Sequence, residues 1–410
     1  MKISIPNNFF YQLLFVLCIA IPYLNIFELT LFVWTFSFFF SITQSYSFSF
    51  LRLSIPFLVT FFIAFVVMLF NDYENYFIIR DVTYLVKPIM GLFIGYQLCK
   101  RNSYKIFKLI VYSGLIIAVI HIFVLIVAVL FYHATTVNKI REFGGYFSDF
   151  EVYALIFLIF HEKFDIGFSR KKTQLYSIIL GLSVFLYLAR TNFIQLLILF
   201  LAMKGLLKIN RTSITAVVSI VLFSIVGYTS ILYINPKRNG AGVEAFLYKI
   251  KVAPMEAFKT KINRYDYIDF NDNYRSYENI MTIRQVSRDG IWSVLFGKGL
   301  GSQIDLKQKV YLGDMELRYI SILHNGFMIV FLKSGIVGLL FYFYTIYYFL
   351  KKRKTDSKEI KQVYLLFIGT GVFLIMSNWV FLGLYNLMDT KTILLGSLIA
   401  YSEKLNNNTN

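Results

Sequence analysis

The sequence predicts an all-α polytopic membrane protein, and its composition and hydropathy pattern both support that fold class. Of 410 residues, 57% are hydrophobic and 16% are charged, whereas soluble domains average about 25% charged residues. The apolar residues occur in long runs such as Phe57–Phe70, Leu109–Phe131 and Ile214–Ile234. About 20 apolar residues in helical form span the roughly 30 Å hydrocarbon core of a bilayer. Soluble enzymes are therefore excluded, and so are β-barrels, whose strands alternate apolar and polar residues.

The apolar runs predict about twelve transmembrane helices. They lie near residues 9–27, 29–42, 53–70, 82–98, 107–132, 146–160, 173–188, 191–207, 212–234, 323–350, 363–382 and 390–402. The first run follows Met1 and Lys2 as in a signal peptide, but no A-x-A-like cleavage site follows, so we interpret it as an uncleaved helix. The chain then divides into helices 1–9 at 1–234, one large polar loop at 235–322, and helices 10–12 with a tail at 323–410.

Basic residues indicate the orientation of these helices. The chain carries 41 Lys and Arg against 23 Asp and Glu, a formal charge of +18. With twelve spans, basic clusters such as Arg170–Lys172 and Lys351–Lys354 fall on one side, which the positive-inside rule makes cytoplasmic. Both termini are then cytoplasmic and the large loop is extracytoplasmic. Because the excess charge also suits anionic lipid headgroups, we expect membrane lipid as a partner and no nucleic acid.

Three arginines lie on the side that should be poor in cations. Arg80, Arg141 and Arg190 each precede a different predicted span at its outer end. One such arginine can simply reach a headgroup phosphate or pair with a neighbouring carboxylate. Three from separate loops can together hold a polyanion, because guanidinium groups bind phosphate oxygens bidentately and stay charged. A diphosphate-linked lipid presented at the outer leaflet is the candidate ligand.

The strongest local signal is His324, which opens the tenth predicted span in the segment Leu323–Phe327. At 100° per residue, Gly335 and Gly338 lie near the histidine's helical face. A lipid tail or a neighbouring helix can approach closely there, whereas Lys333 lies on the opposite face. A histidine in this position is either a boundary residue or a catalytic base, and the glycines and outer arginines favour catalysis.

Other motifs are weaker. The sequence contains no H-E-x-x-H, Walker A or G-x-S-x-G motif, so we expect neither a metal nor another cofactor. The nearest approach to a metal motif is Asp269-Phe-Asn-Asp272 in the large loop. In the same loop, Gly242–Lys261 and Tyr277–Arg288 have the pattern of amphipathic helices. The tyrosines of the loop can stack on sugar rings or serve packing roles.

These residues resemble the O-antigen polymerase and O-antigen ligase superfamily in motif and layout. The ligase branch has a histidine, a small polar residue, nine further residues, glycine, two residues and glycine. His324, Asn325, Gly335 and Gly338 reproduce that spacing. Arg190-Thr-Asn-Phe-Ile194 is similar to the family's arginine, three residues, leucine motif, with isoleucine in place of leucine.

Two further segments extend the resemblance. Arg141-Glu-Phe-Gly-Gly-Tyr-Phe-Ser-Asp149 is similar to the family's arginine–glycine segment, but Phe150 and Glu151 stand where proline and asparagine are common. Arg284 or Arg288, followed by Trp292 and Gly297–Gly301, resembles the usual end of the large loop. The likeness covers most of the chain in layout, while its motifs are short.

The resemblance implies a metal-independent glycosyltransferase of the GT-C type at the outer face of a bacterial plasma (inner) membrane. Its substrate would be an undecaprenyl-diphosphate-linked glycan. His324 would deprotonate the acceptor hydroxyl, and Arg190 would act with it in catalysis. The remaining residues, assigned to substrate binding, are Arg141, Arg80, Arg284, Arg288, Asn325 and Gly335.

Three functions remain open. We favour a polymerase that joins lipid-linked repeat units into O-antigen or capsular polysaccharide, with a chain-length regulator and a flippase as partners. A ligase that transfers glycan to lipid A–core is the alternative within the family. A flippase or exporter of lipid-linked sugars would instead require charges along a central cavity, and Lys87 and Lys333 are the clearest charges inside the predicted spans.

Overall fold

The computed structural model describes residues 7–101, 106–145, 148–207, 211–238, 240, 243–256, 259–312, 315–386 and 389–409. Two predicted features lie partly outside these residues, namely the segment from Arg141 to Asp149 and the cationic group Lys100, Arg101 and Lys105 after the fourth predicted span.

Most of the described chain before the large loop is helical. The helices are α1 (Asn7–Ala20), α2 (Phe27–Ser41), α3 (Phe48–Met68), α4 (Asn75–Arg101), α5 (Ile106–Tyr132), α6 (Val137–Gly144), α7 (Asp149–Ile159), α8 (Arg170–Leu186), α9 (Arg190–Met203) and α10 (Arg211–Ile234). Short 3-10 turns follow α1 at Ile21–Leu24 and α7 at His161–Phe164. Serine caps several of these helices. At α3, for example, the Ser47 hydroxyl accepts from the Phe50 N–H at 3.0 Å, which satisfies a free donor of the first turn.

The described residues of the large loop form four helices and a β-hairpin. Its elements are α11 (Val243–Glu256), α12 (Tyr267–Asp272), α13 (Tyr274–Arg288), α14 (Ile291–Phe296), β1 (Ile304–Leu312) and β2 (Met315–Ile320). The strands pair antiparallel from Ile304 opposite Ile320 to Leu312 opposite Met315, with an irregularity between Asp305 and Val310. The hairpin departs from the all-α prediction. Ile304 and Leu306 point into a small core with Tyr277 and Met281 of α13, so the loop has its own hydrophobic centre.

The last part of the chain contains three helices, α15 (Gly326–Leu350), α16 (Lys358–Val380) and α17 (Lys391–Thr409), with a 3-10 turn at Gly383–Tyr385. Gly335 interrupts α15, because its φ of +65° is not helical. The nine residues before it, 326–334, therefore form a separate short arm that begins directly after His324.

The membrane-spanning prediction is supported at a coarser level than twelve spans. In the described residues, four helices are long and apolar enough to cross a bilayer, namely α3, α5, α15 and α16. Shorter apolar helical stretches occur at Phe9–Leu24, Phe27–Ser41, Arg190–Met203 and Val221–Ile234. A helix is present at every predicted span, but α7 has 11 residues, about 17 Å at 1.5 Å per residue. The chain is thus a helical membrane protein, and the number of spans stays a prediction.

Close helix packing holds the bundle together. α17 lies against α4, where added Cβ atoms on Gly91, Gly95 or Gly396 would fall within about 2 Å of the opposite helix. Small residues at such an interface let two backbones approach, which is how helices associate in lipid.

Buried charges also connect the helices. Asp81 of α4 pairs with Lys333 of α15 at 2.5 Å, and both side chains are 1% exposed. Lys391 of α17 lies between Asp149 and Asp389, which it pairs with. Lys87 donates to the carbonyls of Asn386 and Asp389. The sequence analysis identified Lys87 and Lys333 as charges inside the bundle, but not their partners.

Candidate functional site

His324 lies at the junction between the hairpin and α15. Asn325, 1% exposed, caps that helix, because its side-chain oxygen accepts from the N–H groups of Phe327 at 2.9 Å and Met328 at 3.2 Å. The cap fixes the backbone directly after the histidine. The His324 side chain itself is 39% exposed, so one edge of the ring is accessible to a substrate.

A buried carboxylate orients the histidine. Glu278 of α13 is 1% exposed, and its two oxygens lie 3.0 and 3.1 Å from His324 Nδ1. The same carboxylate accepts from the His324 backbone N–H at 3.1 Å. A proton on Nδ1 directed at Glu278 leaves Nε2 as the unprotonated nitrogen, which is the arrangement that a general base needs. Local sequence does not predict Glu278 as a partner, because it lies 46 residues from His324 along the chain.

Tyr274 completes this part of the site. Its ring meets the His324 ring edge-on, with 5.8 Å between centroids. Burial and the nearby negative charge of Glu278 hold the pKa of the Tyr274 phenol far above its usual range. The phenol therefore keeps its proton and remains a hydrogen-bond donor next to His324 and Glu278. We call these two residues the dyad.

A group of arginines lies one turn of α13 away from the dyad. Arg275 precedes Glu278 by three residues and pairs with Glu256 of α11 at 2.9 Å. Glu256 also lies 3.8 Å from Arg190 at the start of α9. Arg190 donates in addition to the carbonyl of Lys249. The carboxylate of Glu256 thus holds two guanidinium groups from different helices beside each other.

Arg141 and Lys249 belong to the same group. The pKa of Lys249 is lowered, first by burial and then by the positive charges of Arg141 and Arg190. We call Arg141, Arg190, Lys249, Arg275 and the single carboxylate Glu256 the basic cluster. Cations predominate among these named side chains, which suits a polyanionic ligand. Of the three outer arginines predicted from the sequence, Arg141 and Arg190 both act on the charge of Lys249.

Arg80 lies elsewhere. It donates to the Ser321 hydroxyl, and its guanidinium lies over the rings of Tyr76 at 5.6 Å and Phe77 at 5.1 Å. Ser321 is in the segment between β2 and His324, so Arg80 supports the approach to the histidine. Its neighbour Asp81 accepts from the Gly301 N–H at 2.6 Å, which ties the glycine-rich turn to α4.

Gly335 packs against the chain itself. A Cβ at this position would lie 2.4 Å from the carbonyl of Leu295 and 2.5 Å from the nitrogen of Gly297. The sequence analysis expected a lipid tail or a neighbouring helix at this bare face of α15. The structure has the second of these, because the end of α14 lies against Gly335 and Thr60 of α3 lies near Gly338. Gly335 thereby lets the arm that follows His324 dock on the large loop. Lys333 points away to Asp81, as its opposite helical face predicts.

Arg284 and Arg288 do not reach the basic cluster. Arg284 follows Arg275 by nine residues, which at 100° per residue places it on the opposite face of α13. Both arginines instead line a separate cleft with Tyr277 and Met281. The resemblance groups them with the diphosphate-binding residues, and the structure separates them.

The acidic segment of the loop is neutralised by cations. Asp269 pairs with Lys259, which lowers the pKa of that carboxyl. Asp272 lies 3.3 Å from Arg238. Over the described residues, no group of three or more His, Cys, Asp and Glu side chains is placed to hold a metal ion.

Comparisons with known proteins add no family assignment. No protein-family model matches the chain, and no curated protein or solved structure is detectably similar to it.

Proposed function

We propose that this protein is a membrane glycosyltransferase that polymerises undecaprenyl-diphosphate-linked repeat units into O-antigen or capsular polysaccharide. The proposal rests on one observation. A histidine that a carboxylate orients lies one turn of α13 away from the basic cluster. A base and an anion-binding group side by side are the two elements that displacement of a diphosphate requires.

The chemistry follows from these groups. Nε2 of His324 takes the proton of the acceptor hydroxyl, and Glu278 stabilises the imidazolium that forms. The acceptor oxygen attacks the anomeric carbon of the donor, and the bond from that carbon to the diphosphate oxygen breaks. The electron pair leaves on the lipid diphosphate, whose charge Arg190, Arg141, Lys249 and Arg275 stabilise. Direct displacement inverts the anomeric centre.

The proposal includes the outer face of a bacterial plasma membrane as the location of this chemistry, as the positive-inside rule predicts for the large loop. The proposal includes twelve spans, both termini in the cytoplasm, and a chain-length regulator and a flippase as partners. It is supported by the four helices of the described chain that are long and apolar enough to cross a bilayer, and by the position of the dyad between the polar loop and α15.

The two alternatives use the structure differently. A ligase acting on lipid A–core would use the same dyad and cluster, since only the acceptor changes. A flippase would need charges that face a passage, but two buried lysines of the bundle pair with carboxylates, Lys333 with Asp81 and Lys391 with Asp149 and Asp389. The exposed edge of His324 beside its buried carboxylate favours transfer over transport.

A deletion strain of the source bacterium separates these functions. Surface polysaccharide from the strain, complemented with wild type or His324→Ala, is resolved on a gel. We expect the deletion and the variant to leave single repeat units on the normal anchor with no ladder. Long lipid-linked chains that never reach the anchor would identify a ligase. Wild-type ladders from His324→Ala at normal protein level would contradict the catalytic assignment.

A further inference from the structure

The face of α13 opposite Arg275 lines a second basic cleft. The cleft has a volume of about 460 Å³ and lies between α13, the segment 262–265 and β1. Volumes of about 300–1,000 Å³ are typical of ligand sites. Tyr277 and Met281 are 7% and 8% exposed and form its floor. We call it the α13 cleft.

Four cations surround the α13 cleft, namely Arg264, Arg284, Arg288 and Lys307. Arg284 and Arg288 are exposed, and neither forms an ion pair with a carboxylate in the described part of the chain. Lys307 pairs with Asp305 at 2.8 Å. Arg264 donates to the Tyr265 hydroxyl and lies over its ring, 4.7 Å from the centroid.

The carboxylate of Asp305, which pairs with the cleft residue Lys307, does not cancel this charge. Asp305 accepts from Arg318 at 2.9 and 3.1 Å as well as from Lys307. These bonds hold the pKa of the Asp305 carboxyl well below its usual range. The carboxylate is thus matched by cations of the hairpin, while the guanidinium groups of Arg284 and Arg288 are available to a ligand.

The shape of the cleft suits an oligosaccharide. The side chains of Tyr277 and Arg288 are eleven helical steps apart on α13, about 17 Å at 1.5 Å per residue. Tyr265 is 80% exposed at the rim, and an exposed ring of this kind offers a flat apolar face to a sugar. Arginine forks beside it match the two oxygens of a carboxylate.

An aromatic row joins the cleft to the catalytic dyad. The Phe270 ring lies 5.1 Å from Tyr277 in the cleft floor and 5.6 Å from Tyr274, and Tyr274 meets His324. The cleft and the dyad therefore share the first turns of α13. Packed aromatic rings thus connect the cleft floor to the dyad, while the basic cluster lies on the other face of α13 for the lipid diphosphate.

We propose that the α13 cleft binds an acidic oligosaccharide, with sugar carboxylates held by Arg284 and Arg288. Its assignment as the acceptor subsite rests on the proposed function. Binding itself does not, because it requires only the cleft.

Titration calorimetry on the purified full-length protein tests this proposal. The protein is held in phosphatidylcholine nanodiscs, and the probes are trigalacturonate and the neutral trisaccharide maltotriose. Wild type is compared with Arg284→Gln/Arg288→Gln. A matched control, Lys351→Gln/Lys352→Gln, removes two exposed cations at the far end of α15.

We expect saturable binding of trigalacturonate that weakens at high salt, and none of maltotriose. Removing both cleft arginines should raise the Kd about tenfold or more, because hydrogen bonds to charged groups are the stronger ones. The lysine control should bind like wild type. Equal binding by the arginine variant, or no binding by wild type, overturns the proposal. Loss of wild-type binding in phosphatidylglycerol nanodiscs also overturns it, since lipid headgroups would then occupy the cations.

His324→Ala separates this proposal from the enzymatic one. It should lose polymer synthesis and still bind trigalacturonate. If binding depends on Arg284 and Arg288 but polymer synthesis does not depend on His324, the proposed function is wrong. The cleft would then still be a glycan-binding site. Synthesis that depends on His324, without trigalacturonate binding, would remove the cleft proposal alone.

Discussion

Glu278→Gln removes the negative charge behind His324 while keeping nearly the same shape. The glutamine oxygen can still accept from Nδ1, but it lacks the negative charge that stabilises the imidazolium. The carboxylate makes charged hydrogen bonds to Nδ1 at 3.0 and 3.1 Å, and one such bond is worth about 1.5–3 kcal/mol. At about 1.36 kcal/mol per tenfold in rate, transfer should slow roughly 10- to 150-fold.

The assay measures polymer growth in membranes of a deletion strain, which hold its lipid-linked repeat units, after each variant is expressed. The maximal rate should fall while the repeat-unit concentration at half-maximal rate changes little, because the dyad acts in the transition state. Glu316→Gln on the hairpin, whose carboxylate pairs with Lys309, is the matched control and should grow polymer normally.

A double variant separates orientation from general destabilisation. If Glu278 acts through His324, Glu278→Gln added to His324→Ala should cause no further loss, because the two residues work as a unit. Full activity of Glu278→Gln would refute the reasoning. So would a double variant whose loss of activity equals the product of the two single losses. Protein level and melting temperature are measured alongside, since Glu278 also accepts from the His324 backbone.

Three further predictions concern the basic cluster and the support of the histidine arm. Arg190→Lys keeps a charge but loses the planar fork, so polymer growth should slow about tenfold, with Arg190→Gln slower still; equal rates for both would contradict a bidentate role. Gly335→Ala should lower stability by about 1–3 kcal/mol, measured by thermal melting, because φ is +65° and the new Cβ would meet Leu295; an unchanged melt would refute this. Asp81→Asn should cost about 3–5 kcal/mol by leaving the Lys333 charge buried and unpaired, and Asp81→Asn/Lys333→Met should recover part of it; a double variant no more stable than the single would count against the pairing.

The sequence predicted the helices well because each depends on local composition. Long apolar runs became helices at every predicted position, and the loop segment Tyr277–Arg288 became most of α13. The hairpin was missed, although its alternation of apolar Ile304 and Leu306 with polar Asp305 and Lys307 is a strand signal. Apolar helices and glycine turns surround this segment in the sequence and make the short strand pattern difficult to distinguish.

The candidate site was predictable only where its residues act locally. His324 and its glycine spacing could be identified from local sequence, whereas the predicted grouping of three outer arginines does not include Arg80, which contacts Ser321 instead. Glu278 could not be identified in this way, because its pairing with His324 depends on how α13 packs against α15. The 100° helical repeat separates Arg284 from Arg275 on α13. The functional consequence of this separation depends on the tertiary fold, because only the packing of α13 shows that its Arg275 face contributes to the basic cluster.

The most direct test of the account follows polymer growth by purified protein in a bilayer. Lipid-linked repeat units extracted from the deletion strain serve as substrate, and released undecaprenyl diphosphate is measured together with chain length. The account predicts stepwise growth with one lipid diphosphate released per unit added, and none with His324→Ala. Wild-type growth by His324→Ala, or no release of lipid diphosphate by wild type, would contradict it.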